Sequence, residues 1–237
     1  MAFNSEVDDV TKGDMLEHFL FMFVGIAMVT LYDLSVGVVL IAMSMMNLLL
    51  TGKAYAQQDN EAFGLIVPGN GDSLSEIVTS SSIGIVLGGM LSVILGLAIG
   101  STEFLVPILG AGQVNVVGGP VMTSILLFLA VVIAYPRAEE SLWQTFGFTM
   151  KEKLEDNFPL FITSILLMSF AFGFFHIITA TTILQSFGVP LSQSLLNVVI
   201  LRMAVTIGAF MYSLSFAKSM HSGFNLVGFI AVIGRIF

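Results

Sequence analysis

The amino-acid sequence predicts an all-α membrane protein, a polytopic bundle of about seven transmembrane helices. Of its 237 residues, 56% are hydrophobic and only 10% are charged, whereas a typical soluble domain has about 25% charged residues. The mean hydropathy is +0.97. Several apolar runs approach the roughly 20 residues that a helix needs to cross the hydrocarbon core of a bilayer. We therefore expect an integral, multi-pass protein of the cell membrane.

The apolar runs place the expected helices in chain order. The first run is too long for one span and is interrupted by Asp33, which predicts two helices joined by a turn. The last run is shorter than a full span, because only 12 residues follow Asn225. The runs cover residues 19–50, 83–99, 120–135, 158–178, 195–216 and 224–237.

Polar segments divide the chain into three parts. An acidic N-terminal segment, 1–17, precedes the first helices, 18–135, which are interrupted by a polar loop at 51–80. The helical core that carries the motifs described below follows at 136–237. We expect the residues ahead of the first span to lie free, and His18 to be a solvated residue at the membrane interface.

Charge and motif content exclude several classes of function. The net charge of −8 argues against a nucleic-acid partner, which would require a basic face. No phosphate-binding loop or dinucleotide fingerprint accompanies a βαβ pattern, so nucleotide binding has no support. Cysteine is absent, which excludes disulfides and thiolate chemistry. A short charged turn at 151–157 contains Lys151 and Lys153, which makes it a candidate for the cytoplasmic side.

Small residues recur at every fourth position along the helix after the polar loop. This spacing places them on one helical face, where they allow a second helix to approach closely inside a membrane. The face indicates either packing against a neighbouring helix of the same chain or a helix–helix partner outside it. The residues are Gly84, Gly88, Ser92, Gly96 and Gly100.

Polar residues within apolar helices are the candidates for function, because placing them in a membrane is costly. Glu139 and Glu140 open one helix, and His176 ends an FxxxH motif in the helix that returns from the charged turn. An antiparallel pair joined at that turn would bring the acids and His176 toward the same membrane level. His221 and Asn225, four residues apart, project from one face of a helix.

These residue types suit the hydrolysis of a carbonyl compound. A carboxylate in a pocket of low dielectric constant gains proton affinity and can act as a general base near neutral pH. A His and an Asn one helical turn apart can both donate hydrogen bonds to a developing oxyanion.

The order and spacing of the motifs resemble those of the CPBP family of intramembrane proteases, which includes type II CAAX prenyl endopeptidases and relatives linked to bacteriocin processing. The resemblance covers residues 136–237. It implies that Glu139 with His176 activates a water molecule, that Glu140 supports them, and that His221 and Asn225 line the oxyanion site. This scheme requires no cofactor, although Glu139, His176 and His221 would also suit zinc.

The chain departs from the family pattern at one position. The family motif is EExxxR, and Gln144 stands where the Arg is expected. A Gln can form hydrogen bonds with the acids but cannot supply positive charge. Arg137 and Arg202 are the candidates to replace that charge.

Three other interpretations remain open at this stage. The polar residues could satisfy hydrogen bonds between helices, with the Glu pair at a helix N-terminus favoured by the dipole. They could line the aqueous path of a transporter or proton relay. The chain could also be a non-catalytic scaffold subunit of a larger membrane complex.

Overall fold

The computed structural model describes residues 5–32, 36–57, 74–99, 119–143, 157–184, 199–208 and 214–236. Every described residue except Asn157 is helical, so the all-α prediction is confirmed for this part of the chain. The helices are α1 (Ser5–Tyr32), α2 (Val36–Gln57), α3 (Leu74–Ile99), α4 (Gly119–Leu127), a π-helical segment (Phe128–Ala134), α5 (135–143), α6 (Phe158–Leu184), α7 (Val199–Gly208) and α8 (Leu214–Ile236).

The surface of the protein is apolar and much of its interior is polar. Large apolar side chains of α1, α3 and α6, such as Phe23, Val86 and Leu167, are more than half exposed. Charged side chains such as Glu140 and Arg202 are fully buried. This arrangement suits a lipid environment, in which apolar surface meets hydrocarbon and charges face the bundle interior.

Two helices are long and apolar enough to cross a membrane. These stretches are Gly13–Leu31 in α1 and Ser75–Leu95 in α3. Shorter apolar stretches lie in α2, α6 and α7, at Gly37–Lys53, Phe158–Phe172 and Val199–Gly208. The described helices thus support a membrane protein.

Helices α1 and α2 form an antiparallel hairpin, as the interruption at Asp33 predicts, although Asp33 itself lies outside the described residues. The two backbones approach closely where Gly25 faces Gly37 and Ile41. A Cβ atom at Gly25 would lie 2.8 Å from the carbonyl oxygen of Gly37, so a larger residue would force the helices apart. Small residues at such crossings are typical of helix pairs in membranes.

Helices α3 and α8 pack backbone against backbone. Gly84 lies against the carbonyl of Phe216, Gly88 against the carbonyl of Met220, and Gly223 against the carbonyl of Ile85. The small-residue face of α3 therefore packs, at Gly84 and Gly88, on a helix of the same chain. A partner outside the chain stays a prediction, and Gly100 lies outside the described residues.

The central helix of the fold changes its winding before the Glu pair. Helix α4, the π-helical segment and α5 are continuous, and the N–H of Tyr135 donates to the carbonyl of Ala130, five residues back. Pro136 follows at once and has no N–H to donate. A π-helix is rare and occurs mostly as a single turn inside an α-helix, frequently at functional sites.

Several boundaries differ from the sequence expectations. Helix α1 begins at Ser5, so the ten residues ahead of the first span, which we expected to lie free, are helical, and Asp14 and His18 among them are buried. Helix α8 begins at Leu214 and runs for 23 residues, so the expectation of a short last helix was wrong. The division at residues 135 and 136 falls inside a continuous helix. Asn157 caps α6, because its side-chain oxygen accepts from the N–H of Leu160 at 3.2 Å.

We expect Gly88→Ala to destabilise the protein by about 1–3 kcal/mol, because the added methyl group overlaps the Met220 carbonyl and forces α3 from α8. Gly89→Ala is the matched control on the same helix, since its Cβ would meet Val227 at an ordinary 3.6 Å. That control should be neutral or slightly stabilising. The measurement is unfolding in detergent, and equal effects of the two substitutions would contradict the close packing.

Candidate functional site

Glu140 is the centre of a buried ion cluster. One of its carboxylate oxygens, Oε1, accepts a hydrogen bond from Arg202 Nη2 and a second from His221 Nδ1, which lies 2.7 Å away. The side chains of Glu140 and Arg202 are both fully buried. The cluster joins α5, α7 and α8, and it links residues that are 62 and 81 positions apart in sequence.

Glu139, the other member of the Glu pair, lies at the edge of the same cluster. Its Oε2 atom is 3.9 Å from His221 Nδ1, and its side chain is 8% exposed. The two acids thus have different environments. Glu140 is held by a guanidinium group, whereas Glu139 is farther from the imidazole and slightly open.

The contact with Glu140 fixes the tautomer of His221. An ionised carboxylate can only accept a hydrogen bond, so the proton of the ring must reside on Nδ1. Nε2 is then an acceptor in the neutral ring and a donor in the protonated ring. A carboxylate that orients a His in this way is a recurrent feature of catalytic and metal-binding sites.

Arg202 also connects the cluster to the FxxxH motif. Its guanidinium lies over the ring of Phe172, 4.4 Å from the ring centroid, which is a favourable cation–π geometry. Phe172 is in turn in edge contact with Trp143 of α5, with 5.3 Å between the ring centroids. The first residue of the FxxxH motif therefore packs α6 against the helix of the Glu pair.

Asn225 bonds to the π-helical segment. Its Nδ2 donates to the carbonyl of Val131 at 2.9 Å. In the register set by Tyr135, the partner of this carbonyl would be the N–H of residue 136, which is a proline. Asn225 supplies the missing donor. One N–H of its side-chain amide is therefore already bonded and is not available to the oxyanion site that the sequence predicts.

A second polar cluster adjoins the first. Arg137 donates from Nε and Nη2 to the two carboxylate oxygens of Glu17, the second bond measuring 2.9 Å. Asp14 accepts from the Thr51 hydroxyl at 3.2 Å and lies 3.7 Å from His18. His18 is fully buried, so its expected place at a solvated interface was wrong.

Lys218 lies between the two clusters. It is 1% exposed and interacts electrostatically with Asp14, Glu17 and Glu140. Lys218 precedes His221 by three residues, which places both side chains on one face of α8. Sequence reasoning missed Asp14, Glu17 and Lys218. The signal available was helical spacing, because Asp14 and His18 are four residues apart.

The structure brings together most of the predicted site residues that it describes. Glu139, Glu140 and His221 share one cluster, and Asn225 lies one turn beyond His221. Arg202 is the arginine that contacts the Glu pair, whereas Arg137 pairs with Glu17 instead. The backbone of His176 lies in α6, but its side chain and Gln144 lie outside the described residues.

The described residues contain no group of three or more His, Asp or Glu side chains arranged to hold a metal ion. The zinc set proposed from sequence includes His176, whose side chain is not among them. No protein family, curated protein or solved structure matches the chain. The resemblance to CPBP proteases therefore stays a prediction that depends on the motifs and their geometry.

We expect Arg202→Met to destabilise the protein by about 3–5 kcal/mol, because it leaves the buried Glu140 carboxylate without its charged partner. The combination with Glu140→Gln should recover much of that loss, since no lone charge remains. Arg137→Met is the control, because its pair with Glu17 is partly exposed and its loss should cost less than the loss of a fully buried pair. The free energy of unfolding is measured in detergent. Equal losses of that free energy in Arg202→Met and Arg137→Met would contradict this account.

The pairing of Asn225 with Pro136 can be tested by a double-mutant cycle. Asn225→Ala should cost about 1–3 kcal/mol in the wild-type chain, because it leaves the Val131 carbonyl buried without a donor. In a Pro136→Ala background the cost should fall, since residue 136 then has an N–H of its own. Thermal unfolding of the four proteins gives the coupling free energy. A coupling of zero would mean that Asn225 does not replace the proline's missing donor.

Proposed function

We propose that the chain is a multi-pass membrane protein of about seven spans. Helices α1, α2, α3, α6 and α8 have 28, 22, 26, 27 and 23 residues. At 1.5 Å per residue each exceeds about 30 Å, the thickness of the hydrocarbon core. The continuous helix 119–143 has a similar length. The seventh span would contain α7, of which the structure describes Val199–Gly208.

We propose further that the protein is an intramembrane endopeptidase, similar to CPBP proteases, that hydrolyses a peptide bond at or within the membrane. The observation that carries this proposal is the contact of Glu140 with both His221 and Arg202. The contact joins Glu140 and His221, which belong to different motifs and lie 81 positions apart in the sequence. It also adds the positive charge that Gln144 cannot provide.

The geometry suggests different roles for the two acids. Glu140 contacts both Arg202 and His221 through one oxygen, so its role is to orient His221. Glu139 is the better candidate for the general base, together with His176. In this mechanism the Glu139 carboxylate takes a proton from the attacking water as the oxygen–carbon bond forms. It then transfers that proton to the leaving amine nitrogen as the carbon–nitrogen bond breaks.

His221 is the candidate for stabilising the oxyanion of the tetrahedral intermediate. With Nδ1 bonded to Glu140, a protonated ring can donate from Nε2 to a negatively charged oxygen. The side-chain amide of Asn225 has two N–H groups. One donates to the carbonyl of Val131, and the other can donate to the oxyanion.

The decisive experiment measures peptide cleavage by the purified protein in lipid vesicles, with a library of membrane-spanning and lipid-modified peptides as substrates. Glu139→Gln and His176→Ala should lower the cleavage rate about 10²–10⁴-fold, as expected for loss of general base catalysis. His221→Ala should lower it about 10²–10³-fold, as for loss of an oxyanion donor.

Glu76→Gln is the control for these substitutions, because Glu76 is an exposed acid in the first turn of α3. It should cleave at the wild-type rate. Cleavage that is unchanged in both Glu139→Gln and His176→Ala would refute the endopeptidase. If the protein cleaves no peptide and copurifies with a membrane partner, the result favours a non-catalytic scaffold subunit.

A proton relay is the second candidate, because titratable groups follow one another through the bundle. Asp14, His18, Lys218, Glu140 and His221 are all buried, and Lys218 interacts electrostatically with Asp14 and Glu140. Proton flux into vesicles that depends on Glu140 and His221, without any peptide cleavage, would favour this function.

A further inference from the structure

Several buried polar atoms on both sides of the Glu140–His221 contact have no hydrogen-bond partner among the described residues. They belong to four helices, and we call the six residues that carry them the polar chamber. The atoms are Asp14 Oδ1, both ring nitrogens of His18, Ser44 Oγ, Arg202 Nε and Nη1, Thr206 Oγ1 and Lys218 Nζ.

Burying such groups without hydrogen bonds would lower the stability of the protein. A buried donor or acceptor without a partner loses about 1–3 kcal/mol, and charged groups lose more. Native proteins therefore satisfy nearly all of them, with ordered water where no protein group reaches. Asp14 Oδ1 and His18 Nε2 lie 3.7 Å apart, too far for a hydrogen bond. The atoms of the chamber that lack a hydrogen bond are the ones that an occupant would satisfy.

The chemistry of the atoms identifies that occupant. Lys218 and Arg202 offer only donors, Asp14 offers only an acceptor, and Ser44 and Thr206 offer both. A single anion or cation would satisfy one set and repel the other. Water both donates and accepts, and it fits small gaps between side chains.

The series of chamber residues extends in two directions. The Glu17–Arg137 pair is partly open to the surroundings, with side chains 22% and 38% exposed. Lys218 interacts electrostatically with both members of that pair and with Glu140. Beyond Glu140, Arg202 and Thr206 lie one helical turn apart on α7 and continue the series.

We propose that the polar chamber holds a chain of ordered water molecules that leads from the Glu17–Arg137 pair to the Glu140–His221 contact. The chamber itself is independent of the activity. Its role in delivering the water consumed by hydrolysis depends on the endopeptidase proposed above, because each cleavage within a membrane requires one water molecule from outside the hydrocarbon.

The test uses cysteine as a probe of water, because the chain contains none of its own. Ser44→Cys is nearly isosteric and places a thiol in the chamber, whereas Met43→Cys places one at the adjacent position in the apolar core. Both native side chains are buried, at 0% and 5% exposure. The two sites thus differ in polarity but are buried to a similar extent.

The probe is silver ion, which is small, water-soluble and excluded from hydrocarbon. Vesicles containing each variant are exposed to silver ion for increasing times, and the unreacted thiol is then counted by alkylation after unfolding. Ser44→Cys should react at least about tenfold faster than Met43→Cys, because only a hydrated thiol can ionise readily and meet the ion.

A second pair of variants probes the far end of the chamber. Thr206→Cys should react faster than Val205→Cys, whose native side chain is buried in the apolar cluster of α3, α7 and α8. Thr51→Cys, next to Asp14, replaces Ser44→Cys if that variant does not fold. If Ser44→Cys or Thr206→Cys reacts no faster than its apolar neighbour, the proposal of a water-filled chamber is wrong.

These outcomes separate the chamber from the activity. Fast reaction at Ser44→Cys and Thr206→Cys in a chain that cleaves no peptide would support the chamber and reject the endopeptidase. Slow reaction in a chain that does cleave peptides would reject the chamber alone.

Discussion

The fold depends on one buried carboxylate. Glu140 holds Arg202 of α7 and His221 of α8 on the same oxygen, so three helices meet at a single ion cluster. In a bundle with an apolar surface, such a contact fixes the rotation and depth of each helix, because a shift would leave a buried charge unpaired. The aromatic contact of Arg202 with Phe172 adds α6 to the same arrangement.

Close backbone contacts complete this arrangement. Gly84 and Gly88 of α3 let α8 approach until its carbonyl groups touch the glycines, which places the face of α8 that carries His221 against the helix of the Glu pair. Pro136 follows the π-helical turn before that pair and has no N–H to donate. Asn225 satisfies the Val131 carbonyl, which this register leaves without a backbone donor. The same side chain thus stabilises the fold and stands beside the candidate site.

Sequence reasoning found the parts of the site that have a helical period or a motif. The Glu pair, His221 and Asn225 are recognisable because charged and polar residues are rare in apolar helices. It could not decide which arginine replaces the family's Arg, since Arg137 is three residues from Glu140 and Arg202 is 62 away. Only the packing of α7 brings the distant one into contact.

The start of α8 was missed for a related reason. Lys218 and His221 interrupt an apolar run, so the sequence suggested a break before residue 224, but both side chains point into a polar interior and the helix continues through them. The buried His18 follows the same logic. Hydropathy measures how well a residue suits lipid, and it carries no information about a polar interior that lipid does not reach.

The separation of Glu140 and Arg202 along the chain has a consequence for biosynthesis. Glu140 is synthesised 62 residues before Arg202, so α5 is made before the guanidinium that its buried carboxylate contacts. Until α7 is made, the Glu140 carboxylate lacks this contact, and a buried charge without its partner is strongly destabilising. The C-terminal helices therefore do more than complete the bundle, because they supply the charge that allows Glu140 to be buried.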